Sequence, residues 1–250
     1  MSRRRAQAAR AVTFALGYGV LVACGASPAP QPPTGIDGLT IPTPSPAPTD
    51  FVRGVDNPWF PLAPGTRWTY DRYSSTGSET LTATALPAPR VVDGVTTTAV
   101  QWEVLRPGRP SATLAVRWYA QDTAGNVWWF GQRVTRNAPP VDLLATRSWA
   151  AGRNGAQAGL VVSAAPRVGD GYVNGSQPGV VESRSTVASV DASVALASRT
   201  YRGTVSTRDL SPLEPTRQVQ SFYARGIGLV AQQTTEVLSV ELSLVRVRRP

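Results

Sequence analysis

Apolar and polar residues alternate along most of the chain beyond residue 50. In "ATLAVRWYAQ" (112–121), Leu114, Val116 and Trp118 fall on one side of an extended chain, and Thr113, Arg117, Tyr119 and Gln121 on the other. That period of two predicts a strand with one buried face. "DTAGN" (122–126) then supplies turn residues, and "VWWFGQRV" (127–134) resumes the β pattern, so the two runs form a hairpin. Further strands are predicted near 66–73, 79–86, 97–106, 180–190, 199–209, 217–225, 228–240 and 241–248.

Turn signals separate these runs about every 8 to 12 residues, the rhythm of an antiparallel all-β fold. Helical periodicity is confined to "PPVDLLATRSWA" (139–150), with Pro at its start and Gly152 just beyond its end. The expected fold is therefore mainly β: one curved antiparallel sheet or open barrel, with at most one or two short helices.

The first fifty residues have a different pattern. Arg3, Arg4, Arg5 and Arg10 precede an uncharged apolar run, "AVTFALGYGVLVA" (11–23). The run is shorter than the roughly 20 residues that span a bilayer as a helix, and suits the apolar region of a secretory signal peptide. Residues 25–50 contain eight of the 22 prolines and few large apolar side chains, so they cannot form a core. They read as an extended tether of about 3.1 Å per residue. The expected organisation is a signal peptide at 1–23, an anchor residue and tether at 24–50, and a single β-rich globular domain at 51–250.

Between the apolar run and the tether stands the one cysteine, Cys24, in "LVACG". This resembles the lipobox of bacterial lipoproteins, which implies lipidation of the Cys24 thiol and cleavage just before it. It further implies an extracytoplasmic protein held to the bacterial cell membrane by its N-terminal lipid. A lone cysteine cannot form an intramolecular disulfide, and a thioether-linked lipid would use it.

Composition narrows the chemistry. The formal net charge of +9 falls to about +5 once the four leading arginines are set aside, and every basic residue is Arg. The arginines are scattered, so nucleic acid is not an expected partner. Without His there is no Ser-His-Asp or Cys-His arrangement and little basis for a transition-metal site. Without Lys there is no Schiff base, Ser-Lys dyad or P-loop lysine. No cofactor or metal is expected, and no catalytic residue is assigned. Carboxylates remain, but Asp71, Asp93, Asp122, Asp170 and Asp209 read as solvated residues of turns and polar strand faces.

Several longer motifs occur in order. They are "NPWFPLAPGTRWTY" (57–70), "WYAQDTAGNVWWFGQ" (118–132), "SWAAGRNGAQAGLVV" (148–162), "PRVGDGY" (166–172), "TRDLSPLEP" (207–215) and "SFYARGIGLV" (221–230). Together they resemble a family of uncharacterised bacterial secreted proteins and lipoproteins that opens on N-P-(aromatic)-F-P-L-x-P-G-T-x-W-x-Y. The chain departs from that pattern at Gln132, where an acid is usual, at Val181-Glu182-Ser183, which lacks a second acid, and at Val162, where Met is usual. Acidic roles at those places are not expected here. Independently of any family, Pro61, Pro64 and Gly65 read as a rigid turn before a strand, and Gly226 and Gly228 as a tight connection.

All seven tryptophans lie between 59 and 149. Adjacent Trp128 and Trp129 must face opposite sides of their strand. Trp118, Tyr119, Trp128 and Trp129 are the candidate ligand-facing residues, the alternative being that they are packing. The leading functional expectation is a non-enzymatic, lipid-anchored envelope protein that binds an apolar or amphiphilic ligand, such as a lipid, on a concave sheet face. The alternatives are a module contacting anionic wall polymers or a protein partner, and a carboxylate-based hydrolase with two acids facing one cleft.

Overall fold

The computed structural model describes residues 47–74, 77–105, 108, 110–135, 146–234 and 241–250. The expected signal peptide, Cys24 and most of the expected tether lie outside these residues, as do positions 139–145 of the expected helix.

Fifteen strands follow one another: β1 (Phe51–Val52), β2 (Arg67–Ser74), β3 (Gly77–Ala85), β4 (Arg90–Val92), β5 (Val95–Leu105), β6 (Ala112–Asp122), β7 (Val127–Val134), β8 (Trp149–Ala150), β9 (Gln157–Val162), β10 (Gly171–Gln177), β11 (Val181–Ala195), β12 (Thr200–Leu210), β13 (Gln218–Ala224), β14 (Gly228–Thr234) and β15 (Glu241–Arg248). Twelve of them form a ring in which each pairs antiparallel with the next in chain order, leaving out β1, β4 and β8. The ring closes where β15 pairs with β2, placing Leu244 opposite Tyr70. The expected curved antiparallel sheet is thus a closed up-and-down barrel, and closure removes the exposed edges that an open sheet would present.

Ring size explains what the interior must hold. Eight strands enclose just enough space for side chains to fill, and diameter grows with strand number. Twelve strands leave a wider lumen, and large inward side chains (Trp68, Tyr70, Trp102, Tyr119 and Trp129) occupy part of it.

The expected β6–β7 hairpin is present, but β6 is not half-buried: every residue from Leu114 to Asp122 is buried. One face looks into the barrel. The other is covered from outside, where Phe51 packs edge-on against Trp128 and Phe130, and the Arg90 guanidinium lies 4.3 Å from the Trp118 ring centre. The expected alternation also breaks at Leu114. Glu103 pairs with Thr113 and Trp102 with Ala115, so Leu114 is an extra residue in the strand. Leu114 consequently joins the core cluster of Tyr119, whereas Val116 and Trp118 join the outer one.

Two stretches depart from the sequence expectation. Trp149–Ala150, predicted as the end of a helix, form the short strand β8 opposite Gln132 and Gly131. Packing outweighs local helical pattern here, since the Trp149 ring meets that of Trp129 edge-on at 4.9 Å. Strands β9 and β10, absent from the predicted set, complete the ring between β7 and β11. Their Gly159 and Gly175 lie where a Cβ would collide with the β10 backbone and the Trp149 ring, respectively. Such glycines dilute the β-branched pattern by which a strand is recognised.

The first part of the motif at 57–70, ahead of β2, packs onto the barrel. Asn57 is fully buried and ties the preceding loop to the hairpin: Gln121 Oε1 accepts from its backbone N–H at 2.8 Å, and its Nδ2 donates to the Gly125 carbonyl at 2.7 Å. Phe60 then packs against Tyr119 and Tyr223, with ring centres 5.1 and 6.1 Å away.

Candidate functional site

A cavity of about 110 Å³ lies inside the barrel beneath Phe60, Pro61 and Leu62. Its walls differ in chemistry. Strands β2, β3, β5, β6 and β7 supply Trp68, Tyr70, Ala83, Val100, Trp102, Tyr119 and Trp129. Strands β10 to β14 supply Asn174, Ser183, Ser185, Asp209 and Gln232, with Val219, Tyr223 and Leu229. Arg117, from β6, stands among the aromatic residues.

The aromatic wall is tightly ordered. Tyr70 stacks on Trp102 at 5.4 Å with 23° between the planes, and its hydroxyl donates to the Leu229 carbonyl at 3.0 Å. Burial pushes the Tyr70 phenol well above its ordinary value of 10.0, and the neighbouring Tyr119 and Tyr201 add to the shift. Trp68 Nε1 donates to the Ile227 carbonyl at 2.8 Å, and Trp129 Nε1 to the Gly131 carbonyl at 2.7 Å. Trp102 differs: it is 6% exposed, and its Nε1 is buried without a hydrogen-bond partner.

Arg117 lies between two of these rings, its guanidinium carbon 5.7 Å from the Trp102 ring centre and 5.5 Å from that of Trp129. Indole faces carry negative quadrupole density and favour a cation there. Its Nε donates to Gln132 Oε1 at 3.2 Å. A bulge in β7 creates this pairing. Trp118 is opposite Gly131 and Tyr119 opposite Trp129, leaving Phe130 as the extra residue and placing Gln132 across from Arg117.

The polar wall centres on Asp209. One of its oxygens accepts from Ser185 Oγ at 2.6 Å and the other from Ser221 Oγ at 2.5 Å. Ser185 also bonds Asn174, and Gln232 Nε2 donates to Ser221 Oγ at 3.0 Å. These short bonds to an ionisable acceptor are the strong kind. They correct the expectation that the acids are solvated turn residues: Asp122, Asp170 and Asp209 are all buried. Asp122 accepts from Asn126 and from Trp128 Nε1, and Asp170 from the Arg167 backbone. Among the described residues, Asp209 is the one carboxylate lining the cavity, so the two facing acids of a carboxylate hydrolase are not assembled there.

Of the four candidate ligand-facing residues, Tyr119 and Trp129 line the cavity and stand opposite each other in the ladder. Trp118 and Trp128 do not: they point outward and are buried beneath Arg90 and Phe51. Cys24, the residue expected to carry the lipid, lies outside the described residues. Sequence reasoning missed Trp102, Arg117 and Asp209. A signal for the polar wall existed in "VESRSTV" (181–187), where Glu182, Arg184 and Thr186 alternate with Ser183 and Ser185. Polar residues on both faces of a strand imply that the inner face is polar too.

No family model matches the chain, and no curated protein matches it. Among solved structures, a Bacteroides fragilis protein described as exported, with a YmcC-like fold, superposes with a TM-score of 0.42 at 14% identity, covering 76% of this chain and 99% of that one. A Parabacteroides distasonis protein described as a lipoprotein superposes with a TM-score of 0.38 at 10% identity, covering 76% and 98% of the two chains.

Proposed function

We propose that the protein is a non-enzymatic, extracytoplasmic lipoprotein, anchored through Cys24, whose barrel binds a small amphiphilic molecule in its lumen. The observation that carries the reading is the cavity itself. It joins an aromatic wall, which includes Trp102, to a hydrogen-bonded polar wall. Convergence of apolar surface with a few placed polar groups is the usual chemistry of a ligand pocket. The size limits the occupant. A purely apolar cavity of about 150 Å³ accepts benzene, so this smaller space suits a compact molecule rather than a whole diacyl lipid. The tether then places the barrel close to the membrane, within reach of molecules released there.

The test has two arms. Replacing Cys24 by Ser should release the chain from membranes on cell fractionation. The released chain should change its tryptophan emission when a small-molecule extract of bacterial envelope is added, because Trp68, Trp102 and Trp129 line the cavity. Unchanged emission across such extracts would count against the binding reading, and retention of the Ser variant on membranes against the anchor.

A second reading is favoured by the outer surface. Exposed Arg184 and Arg208 lie on neighbouring strands β11 and β12, where Arg184 pairs with Leu210 and Thr186 with Arg208. Such a face would contact anionic wall polymers. It predicts binding to isolated envelope that weakens as salt rises, and salt-independent binding would remove its electrostatic basis.

A further inference from the structure

We propose that one end of the barrel rests on an anionic membrane, with Arg67, Arg225, Arg246, Arg248 and Arg249 against lipid phosphates. These arginines come from three separate stretches of sequence, and the fold gathers them. Arg67 opens β2 directly opposite Arg248 of β15, and Arg246 stands opposite Thr69. Trp68 and Tyr70 of β2 face the lumen, so Arg67, Arg246 and Arg248 face outward. Arg249 Nη2 donates to the Gly226 carbonyl at 2.7 Å, which brings the turn between β13 and β14, with its Arg225, alongside. All five are exposed.

The Arg67–Arg248 pair is costly by itself, because like charges directly opposite on a ladder repel and weaken the sheet. The neighbour of Arg67 on its other side is the uncharged Thr84, whose Oγ1 accepts from Arg67 Nε at 3.2 Å. Among the described residues, no carboxylate forms an ion pair with any of the five. An anionic surface outside the protein supplies the missing charge, and the guanidinium fork matches the oxygens of a phosphate.

Two observations favour a membrane over a wall polymer. Half-buried Trp59 lies beside the arginines, with the Arg225 guanidinium 4.9 Å from its ring centre, and Pro64 of the same segment is exposed. An amphipathic ring next to basic side chains suits the headgroup level of a bilayer. The described chain also begins at this end of the barrel, where β2 and β5 start and β3 and β6 finish. Pro48 sits there beside Gly94, and the Asp50 carbonyl accepts from the Thr123 N–H at 2.7 Å, just beyond β6. A chain held through Cys24 therefore enters the barrel at the end that carries the arginines. This last point rests on the proposed anchor.

The probes are vesicles of equal parts phosphatidylglycerol and phosphatidylcholine, and vesicles of phosphatidylcholine alone. Each is sedimented with the purified full chain carrying Cys24→Ser, which removes the lipid. Residues 1–23 are common to every sample, so their contribution cancels. The chain should bind the anionic vesicles at least about a hundredfold more tightly, and about 0.5 M NaCl should abolish the preference. Arg67→Gln combined with Arg248→Gln should weaken that binding about 25-fold, about fivefold for each arginine removed. Arg184→Gln combined with Arg208→Gln removes the same charge from β11 and β12, and should change binding by less than about twofold. Removing the like-charge pair should leave the urea midpoint unchanged or raised.

Equal losses in the two double variants would reduce the effect to net charge and overturn the docking surface. A lowered midpoint for the Arg67–Arg248 variant would give the pair a structural role and overturn it as well. No preference for anionic vesicles would do the same, while the anchor and the lumen ligand would stand, since neither depends on these arginines. Arginine-dependent binding to isolated cell wall, with none to vesicles, would assign the face to a wall polymer and overturn the membrane assignment. In cell fractionation a wash with about 0.5 M NaCl separates this contact from the anchor, because salt releases the contact alone.

Discussion

Arg117 and Gln132 face each other across the β6–β7 ladder inside the barrel, Nε donating to Oε1 at 3.2 Å. Both are buried, and Gln132 Nε2 also donates to the Arg147 carbonyl at 2.9 Å. The glutamine thus satisfies a cation on one side and a backbone oxygen on the other. Gln132→Leu keeps the volume and removes both bonds at a fully buried position. It should cost about 2–4 kcal/mol in urea unfolding. A loss within about 0.5 kcal/mol would mean that the pair is replaceable.

The bulge that aligns this pair depends on Gly131. Its φ is 131°, and a Cβ there would lie 2.4 Å from the Trp149 carbonyl oxygen and 2.8 Å from Ala150 Cα. Both contacts are with backbone, so no side-chain rotation can relieve them. Gly131→Ala should destabilise by about 1–3 kcal/mol and lower the melting temperature. Gly226, also at positive φ but with open space around it, should lose less on the same change, and equal losses would dissociate the cost from the β8 crossing.

Asp209 and Asp71 provide a matched comparison. Both lie on ring strands, but Asp209 is 8% exposed and accepts from two serine hydroxyls, whereas half-buried Asp71 accepts from Thr80 at 3.2 Å. Asp209→Ala should remove about 2–4 kcal/mol, since two buried hydroxyls lose their shared acceptor. Asp71→Ala should cost no more than about 1 kcal/mol by the same chemical-denaturation assay. Similar losses at the two positions would show that the polar wall is hydrated and tolerant.

Alkaline pH should weaken the fold. Burial raises the phenols of Tyr70 and Tyr172 above 10.0, with Asp170 also raising the latter. The folded chain therefore keeps protons that the unfolded chain releases above about pH 10, and stability falls as pH rises beyond that point. Each such tyrosine contributes a slope of up to about 1.4 kcal/mol per pH unit. Urea midpoints should hold steady up to about pH 9.5 and then decline, with tyrosinate absorbance for these two residues appearing only on unfolding. A flat profile to pH 11 would contradict the burial of these phenols.

The strand pattern was readable because half of each strand's residues must satisfy the barrel interior or its outer cover. Thus "RWTYDRY", with Trp68 and Tyr70 inward, matches β2 almost residue for residue. Closure was not readable, because nothing local to β15 or β2 announces that Leu244 will lie beside Tyr70. The site was half legible. Trp129 and Tyr119 stood out as aromatic, but facing was lost at Leu114 and Phe130, where bulges shift the alternation by one. Arg117 resembled a solvent-facing arginine because period two assigned its face to water. A closed barrel turns that face inward, and only the tertiary structure supplies the tryptophan faces that accommodate it.

The central claim is that the lumen holds a molecule, and native mass spectrometry of the full chain, purified gently from an exporting bacterial host, tests it most directly. The account predicts a stoichiometric small adduct that is released by organic extraction. A wild-type chain that appears only at its unliganded mass, even after exposure to envelope extract, would contradict it.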